Sequence, residues 1–253
     1  MRPRRDLVVV GASAGGLPAL QTLLGELPAE LPMAMLVVVH SSPESPGGLA
    51  DVLNRGSTYP VSYARDGLEI RYGHVYLAPP DLHLTTDDGH LAVRHGPREN
   101  RFRPAVDPLF RSAAASHGER LIAIVLSGSL DDGTHGLAVV KDRGGIAIVQ
   151  SEEDALVPHM PVSAAHAVAV DYVLPAGEMA GVIAGLVGKS HRTGARGRQP
   201  GRPRRRRRLP PIPRRRPILP RRPPSSPAPI AAARCGSSRT MERCATAVTS
   251  GTA

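Results

Sequence analysis

Three short stretches carry residue types that can do nucleophilic chemistry. The first is Gly11-Ala12-Ser13-Ala14-Gly15, which fits G-x-S-x-G, a serine lifted out of a sharp strand-to-helix turn. Small neighbours suit a backbone that turns too tightly for bulk. The second is His40, which closes the apolar run Met33–Val39 and precedes Ser41, Ser42 and Pro43. The third is the glycine-flanked stretch Ser127-Gly128-Ser129-Leu130-Asp131-Asp132-Gly133, which follows the apolar run Leu121–Leu126. A serine that attacks, a histidine that takes its proton and a carboxylate that fixes the histidine tautomer make up an acyl-transfer triad. Each residue type also has a plainer use. Serine caps helices, histidine ends strands as a hydrogen-bonding group, and aspartate beside glycine forms turns.

The main rival reading is a dinucleotide loop. Gly11–Gly16 is one residue away from G-x-G-x-x-G, with Ser13 where the second glycine would let a pyrophosphate approach. An acidic residue should then end the second strand to bind the ribose, and His40 stands there instead. Both departures favour hydrolysis. The order Ser13, His40, Asp132 also differs from the Ser, Asp/Glu, His order of ordinary α/β hydrolases. Arg101-Phe102-Arg103-Pro104 places two arginines where they can reach a substrate carboxylate or simply face solvent. His74, His83, His90 and His95 lack the spacing of a metal site.

The elements that position these residues follow from apolar periodicity. Leu7–Val10, Met33–Val39 and Leu121–Leu126 read as strands buried on both faces, with shorter ones at Val61–Ala64, Gly73–Ala78, Ala147–Gln150 and Tyr172–Leu174. Helical patterns occupy Leu17–Leu27, Gly48–Asn54, Pro108–His117, Gly136–Arg143, Pro161–Ala167 and Gly177–Val187. Asp87-Asp88-Gly89 marks a hairpin turn between His83–Thr85 and His90–Val93. This alternation predicts an α/β fold. It is a doubly wound, mostly parallel, three-layer Rossmann-like sheet interrupted by one antiparallel hairpin. Parallel strands bring their carboxyl ends, and so Ser13, His40 and Asp132, to one edge.

Charge divides the chain. Of 32 Lys and Arg, 18 fall in residues 189–253 beside a single carboxylate, Glu242. The formal +10 therefore comes from this segment, while residues 1–188 are net negative. A high isoelectric point consequently says nothing of nucleic-acid binding by the first 188 residues. Residues 189–253, rich in Arg and Pro and without apolar periodicity, read as a disordered tail. Such a tail could tether the chain to an acidic partner or serve only as a solvated linker. Both cysteines, Cys235 and Cys244, lie in it, so residues 1–188 hold no disulfide or thiolate metal site. The Leu7–Val10 run is too short for a signal-peptide core or a membrane span. These features predict a cytoplasmic protein without a membrane span.

The motifs together resemble a known family. Gly11–Gly16, Val39-His40, Tyr76-Leu-Ala-Pro79, Arg101-Phe-Arg-Pro-Ala-Val-Asp107 and Ser127–Gly133 occur in the order seen in the catalytic domain of the bacterial chemotaxis protein-glutamate methylesterases. The resemblance runs from about Leu7 to Val187. It implies hydrolysis of glutamate γ-methyl esters on methylated chemoreceptors, and deamidation of certain receptor glutamines, with no cofactor and no metal. It puts the nucleophile on Ser13, the base on His40 and the carboxylate on Asp132. Backbone N–H groups at Ala14 and Ser129 become the oxyanion-hole candidates, and Arg101 and Arg103 the substrate-binding candidates. Ala14 replaces a common threonine, and Ser129-Leu130 replaces a common Met-Gly. The family usually has an amino-terminal receiver domain, so the expected form is a stand-alone catalytic domain. A non-catalytic module that docks receptors or other signalling proteins remains the alternative.

Overall fold

A computed structural model describes residues 5–45 and 47–187. The reading of residues 189–253 as a disordered tail lies outside the described residues. In chain order the elements are β1 (Leu7–Ala12), α1 (Gly16–Glu26), β2 (Ala34–Val39), α2 (Leu49–Asn54), β3 (Val61–Tyr63), β4 (Val75–Leu77), β5 (His83–Asp87), β6 (His90–Arg94), α3 (Val106–His117), β7 (Leu121–Val125), α4 (Thr134–Asp142), β8 (Ile146–Gln150), α5 (His159–Ala167), β9 (Tyr172–Leu174) and α6 (Ala176–Leu186).

Every residue of β1, β2 and β7 is buried. Unbroken apolar strands of this kind need helices on both faces of the sheet. On one face α1, α2 and α6 cover Val8, Val10, Met35, Val37, Ile122 and Ile124. On the other, α3, α4, α5 and the β5–β6 hairpin cover Leu7, Val9, Leu36, Val38, Ala123 and Val125. The first turn of α1 has no side-chain cap. Its hold on the sheet comes from Leu20, Leu23 and Leu24, all fully buried, each worth about 2 kcal/mol in transfer from water.

Seven strands form one parallel sheet in the order β3-β4-β2-β1-β7-β8-β9. The chain leaves β1 toward β2 and returns on its other side at β7. The crevice between the carboxyl ends of β1 and β7 is thus the topological switch point, where ligands bind in such sheets. Ser13, His40 and the loop after β7 all emerge there.

Two expectations need correction. The hairpin does not interrupt the parallel sheet, because β5 and β6 pair with each other as a separate two-stranded sheet. The β4 strand preceding them already has β3 and β2 on its two edges. The hairpin instead packs on α3, through Leu84 and Leu91 and hydrogen bonds from Thr86 to Ser112 and Ser116. The α3 helix also starts at Val106, two residues ahead of the Pro108 start that periodicity suggests. Its first amides are bound by Asp132, a capping group 26 residues away in the chain.

Candidate active site

The Ser13 turn is tied to β7 as well as to β1. Ser13 N–H donates to the Ser127 carbonyl at 2.9 Å, and Gly16 N–H donates back to the Ser13 carbonyl at 2.9 Å. The left-handed residue of this turn is Gly15, at φ +72°. A Cβ there would sit 2.7 Å from Leu156 Cβ and 2.8 Å from Ser127 Oγ, so only glycine fits. Ser127 is fully buried and acts as a hub. Its hydroxyl donates to the Ala14 carbonyl at 2.9 Å and accepts Val157 N–H at 2.9 Å. Its own N–H donates to Gln150 Oε1 at 2.7 Å.

His40 leaves the end of β2 with its N–H bonded to the Ala12 carbonyl at 3.0 Å. Its side chain is 4% exposed. Nδ1 lies 3.0 Å from Ser13 Oγ and Nε2 lies 2.7 Å from Asp132 Oδ2. Turning the ring over would replace both contacts with carbon, so this orientation alone supports the two bonds. With Asp132 ionised, the ring proton sits on Nε2. Nδ1 then presents its lone pair to the serine hydroxyl. The Phe102 ring stacks on the imidazole, with centroids 3.6 Å apart and planes 12° apart. That face contact fixes the ring plane and suits an imidazolium.

Asp132 is fully buried and accepts four hydrogen bonds. Oδ2 receives His40 Nε2 and Val106 N–H, at 2.7 Å each. Oδ1 receives Asn100 Nδ2 at 2.7 Å and Asp107 N–H at 3.1 Å. Burial pushes its pKa up, but the bonds from His40, Val106 N–H and Asn100 outweigh it and hold the carboxyl below its ordinary value. The amides of Val106 and Asp107 belong to the first turn of α3, whose dipole also favours negative charge. Asp131, its neighbour in sequence, is exposed.

An open cleft of about 470 Å³ lies over Ser13 and His40, walled by Ser41, Ser42, Pro43, Arg98, Arg101 and Phe102. Of the sequence-predicted residues, Ser13, His40 and Asp132 meet as one hydrogen-bonded chain. Ala14 borders the cleft. Among the described residues neither Ala14 N–H nor Ser129 N–H donates a hydrogen bond within the chain. Ser129, unlike Ala14, is not among the residues that line the cleft. Arg101 lines the cleft and makes no ion pair among the described residues. Arg103 also lines the cleft, but it donates to Asp81 at 2.9 and 2.6 Å and to the Gly96 carbonyl at 2.7 Å. Its guanidinium is spent on the loop itself. Leu130 adopts φ +66° and is 47% exposed, so the loop holds a leucine in a strained left-handed conformation.

Phe102, Asp107 and Ser127 lie within the motifs quoted above but have no role assigned there, and Asn100 and Gln150 lie outside them. Asn100 offered a weak signal, since asparagine favours left-handed turns. The others reach the site only through long-range packing.

Comparison with known proteins places these features. A family model described as CheB methylesterase matches residues 8–183. The chain is 39% identical over 186 residues to a protein-glutamate methylesterase/protein-glutamine glutaminase of Syntrophus aciditrophicus, a match covering 73% of this chain and 53% of that protein. It is 36% identical over 170 residues to a putative protein of the same description from Leptospira interrogans, covering 67% and 88%. The chain thus spans about half the length of the first relative and most of the second. The crystal structure of the Thermotoga maritima CheB methylesterase catalytic domain superposes with a TM-score of 0.70 at 35% identity, over 73% of this chain and all of that one.

Proposed function

The chain belongs to the CheB methylesterase family, and from that premise we propose that it hydrolyses glutamate γ-methyl esters on chemoreceptors, and deamidates receptor glutamines, with Ser13 as nucleophile. The observation that supports this reading is the chain of contacts from Ser13 Oγ through His40 to the buried Asp132, with Ser13 and His40 lining an open cleft.

In the proposed reaction the Ser13 hydroxyl gives its proton to His40 Nδ1 as Oγ attacks the ester carbonyl carbon. Asp132 keeps the Nε2 proton in place and stabilises the imidazolium that forms. The tetrahedral oxyanion takes the N–H groups of Ala14 and Ser129, each such donor being worth about 3 kcal/mol of transition-state stabilisation. As the intermediate collapses, His40 returns the proton to the departing methoxide and methanol leaves. Water then attacks the glutamyl ester on Ser13, with His40 again taking the proton. Glutamate is released and Ser13 regains its hydrogen. In deamidation the group that leaves in the first half is ammonia. Arg98 and Arg101, on the cleft wall, supply positive charge for an acidic receptor segment.

The test is methanol release from methylated receptor by the wild type and by Ser13→Ala. Loss of release in a variant that still folds is expected. Release by Ser13→Ala at the wild-type rate would remove the serine from the mechanism. Receptor binding without turnover by the wild type would make the chain a docking module instead.

A further inference from the structure

Behind the His40–Asp132 contact lies a second buried carboxylate that the proposed reaction leaves unused. Asp107, in the first turn of α3, is 5% exposed. Its Oδ1 accepts Gly136 N–H, in the first turn of α4, at 2.6 Å. Its Oδ2 accepts Asn100 Nδ2 at 2.8 Å. The same Asn100 nitrogen donates to Asp132 Oδ1 at 2.7 Å. One neutral amide thus gives its two hydrogens to two different carboxylates. Unscreened, those carboxylates would repel in a water-poor interior.

The chain takes trouble to put that amide there. Glu99 and Phe102 exchange backbone hydrogen bonds of 3.1 and 2.8 Å around a two-residue turn. Asn100 and Arg101 occupy its centre at φ +50° and +74°. Paired left-handed residues are the mark of a type I′ turn, and asparagine tolerates that conformation better than most side chains. Arg111 of α3 anchors the turn through a 2.7 Å ion pair with Glu99. The residue that closes the turn, Phe102, is the one stacked on His40. A single turn therefore holds the face of the imidazole and the far oxygen of its carboxylate partner.

We propose that Asn100 and Asp107 form a positioning pair for the Ser13–His40–Asp132 relay, an inference that rests on the reading of those residues given above. Asn100 fixes the rotation of the Asp132 carboxylate, so that Oδ2 meets His40 Nε2. Asp107, pinned to α4, holds Asn100 in the bridging orientation. Without the bridge, Oδ1 of Asp132 keeps only the 3.1 Å bond from Asp107 N–H. The Asp107 carboxylate then faces it with no hydrogen between. Neither residue touches the reacting atoms; both act through Asp132.

The experiment compares wild type, Ser13→Ala, Asn100→Ala and Asn100→Asp between pH 5 and 8. Two readouts are used: the rate at which a fluorophosphonate labels Ser13, which needs only an activated serine, and methanol release from methylated receptor. Asn100→Ala is expected to lower the labelling rate and kcat about tenfold, the loss of one hydrogen bond to a charged group, with KM within about twofold. Asn100→Asp is expected to lose about a hundredfold near neutrality, since it sets a third carboxylate against two. The groups facing position 100 are Asp107, Asp132 and the Glu99–Arg111 pair, with Asp131 and His135 lining a pocket beside it and His40 beyond Asp132. On acidification the new carboxyl takes up a proton and again offers a hydrogen. The ratio of Asn100→Asp to wild type therefore rises as pH falls, while the ratio for Asn100→Ala rises less, because there only Asp107, whose pKa burial raises, can take up a proton and face Asp132 with a hydrogen. A merely structural role would make both variants track their urea midpoints, with no recovery in acid. A wild-type rate in Asn100→Ala, or a pH-independent ratio for Asn100→Asp, overturns the proposal. Labelling of Ser13 without methanol release would instead sink the methylesterase reading and leave the positioning pair measured. No labelling of the wild type sinks both.

Discussion

Adding one methyl group to Gly128 should separate folding from catalysis. A Cβ on Gly128 would lie 2.0 Å from Met160 Sδ and 2.8 Å from Ser13 Cβ. Ordinary contact begins near 3.4 Å, so about 0.6 Å must be made up on the serine side. Taken along the Ser13–His40 axis, that shift turns the 3.0 Å contact into about 3.6 Å, which is no longer a hydrogen bond. A displacement approaching 1 Å in a reacting group costs on the order of a hundredfold in rate. The overpacked Met160 side, buried in the core, costs about 1–3 kcal/mol of stability. Gly128→Ala should therefore lower kcat for methanol release by about a hundredfold and lower the urea midpoint. Adding Met160→Ala relieves the sulfur clash but not the serine contact. The double variant should regain part of the lost packing, less the cavity the truncation leaves, and none of the lost kcat. Wild-type kcat in Gly128→Ala, or full catalytic recovery in the double variant, would show that close packing against Gly128 does not position Ser13.

Other perturbations probe the carboxylate and the loop. Asp132→Asn keeps the shape but leaves His40 without an acceptor for its Nε2 proton, and kcat should fall about 10⁴-fold. Because the folded-state pKa of Asp132 lies below its ordinary value, its contribution to stability is present above the unfolded value and is lost as pH falls through the folded one. The urea-midpoint gap between wild type and Asp132→Asn should accordingly narrow from near pH 4 downward, and a gap constant with pH would contradict this. Leu130 pays for its left-handed backbone with about 1–2 kcal/mol, of which glycine would return about 0.5–1 in unfolded-state freedom. Leu130→Gly should then raise stability by up to about 1 kcal/mol in urea titration, and a loss of stability would show that the half-exposed side chain packs usefully.

The elements were largely legible because their signals are local. A strand buried on both faces must be apolar at every position, as Leu7–Val10 and Met33–Val39 are, and no neighbour need be known to see it. The helix faces of Leu20, Leu23 and Leu24 repeat at helical spacing for the same reason. The hairpin was legible as a hairpin from Asp87-Asp88-Gly89, but not its place, because pairing depends on which edges the rest of the sheet leaves free. Among the site residues, Ser13 announced itself by the glycines its turn demands, and His40 by ending a buried strand.

What the amino-acid order determined unaided was therefore which chemical groups sit at strand ends, and that parallel strands bring those ends to one edge. The tertiary structure decided how the groups meet. It put β1 between β2 and β7, so that Ser13 touches residues 27 and more than 100 positions away. It chose Nδ1 rather than Nε2 of His40 to face the serine. It tied Arg103 to Asp81 and left Arg101, on the same cleft wall, without an ion pair among the described residues. It also brought Phe102 and Asn100, from a turn with no catalytic motif of its own, against His40 and Asp132. The physical reason is one of range. Backbone propensity and burial act between residues a few positions apart and are written into composition and period. Hydrogen-bond partners at 2.7 Å are set by where whole strands and helices come to rest.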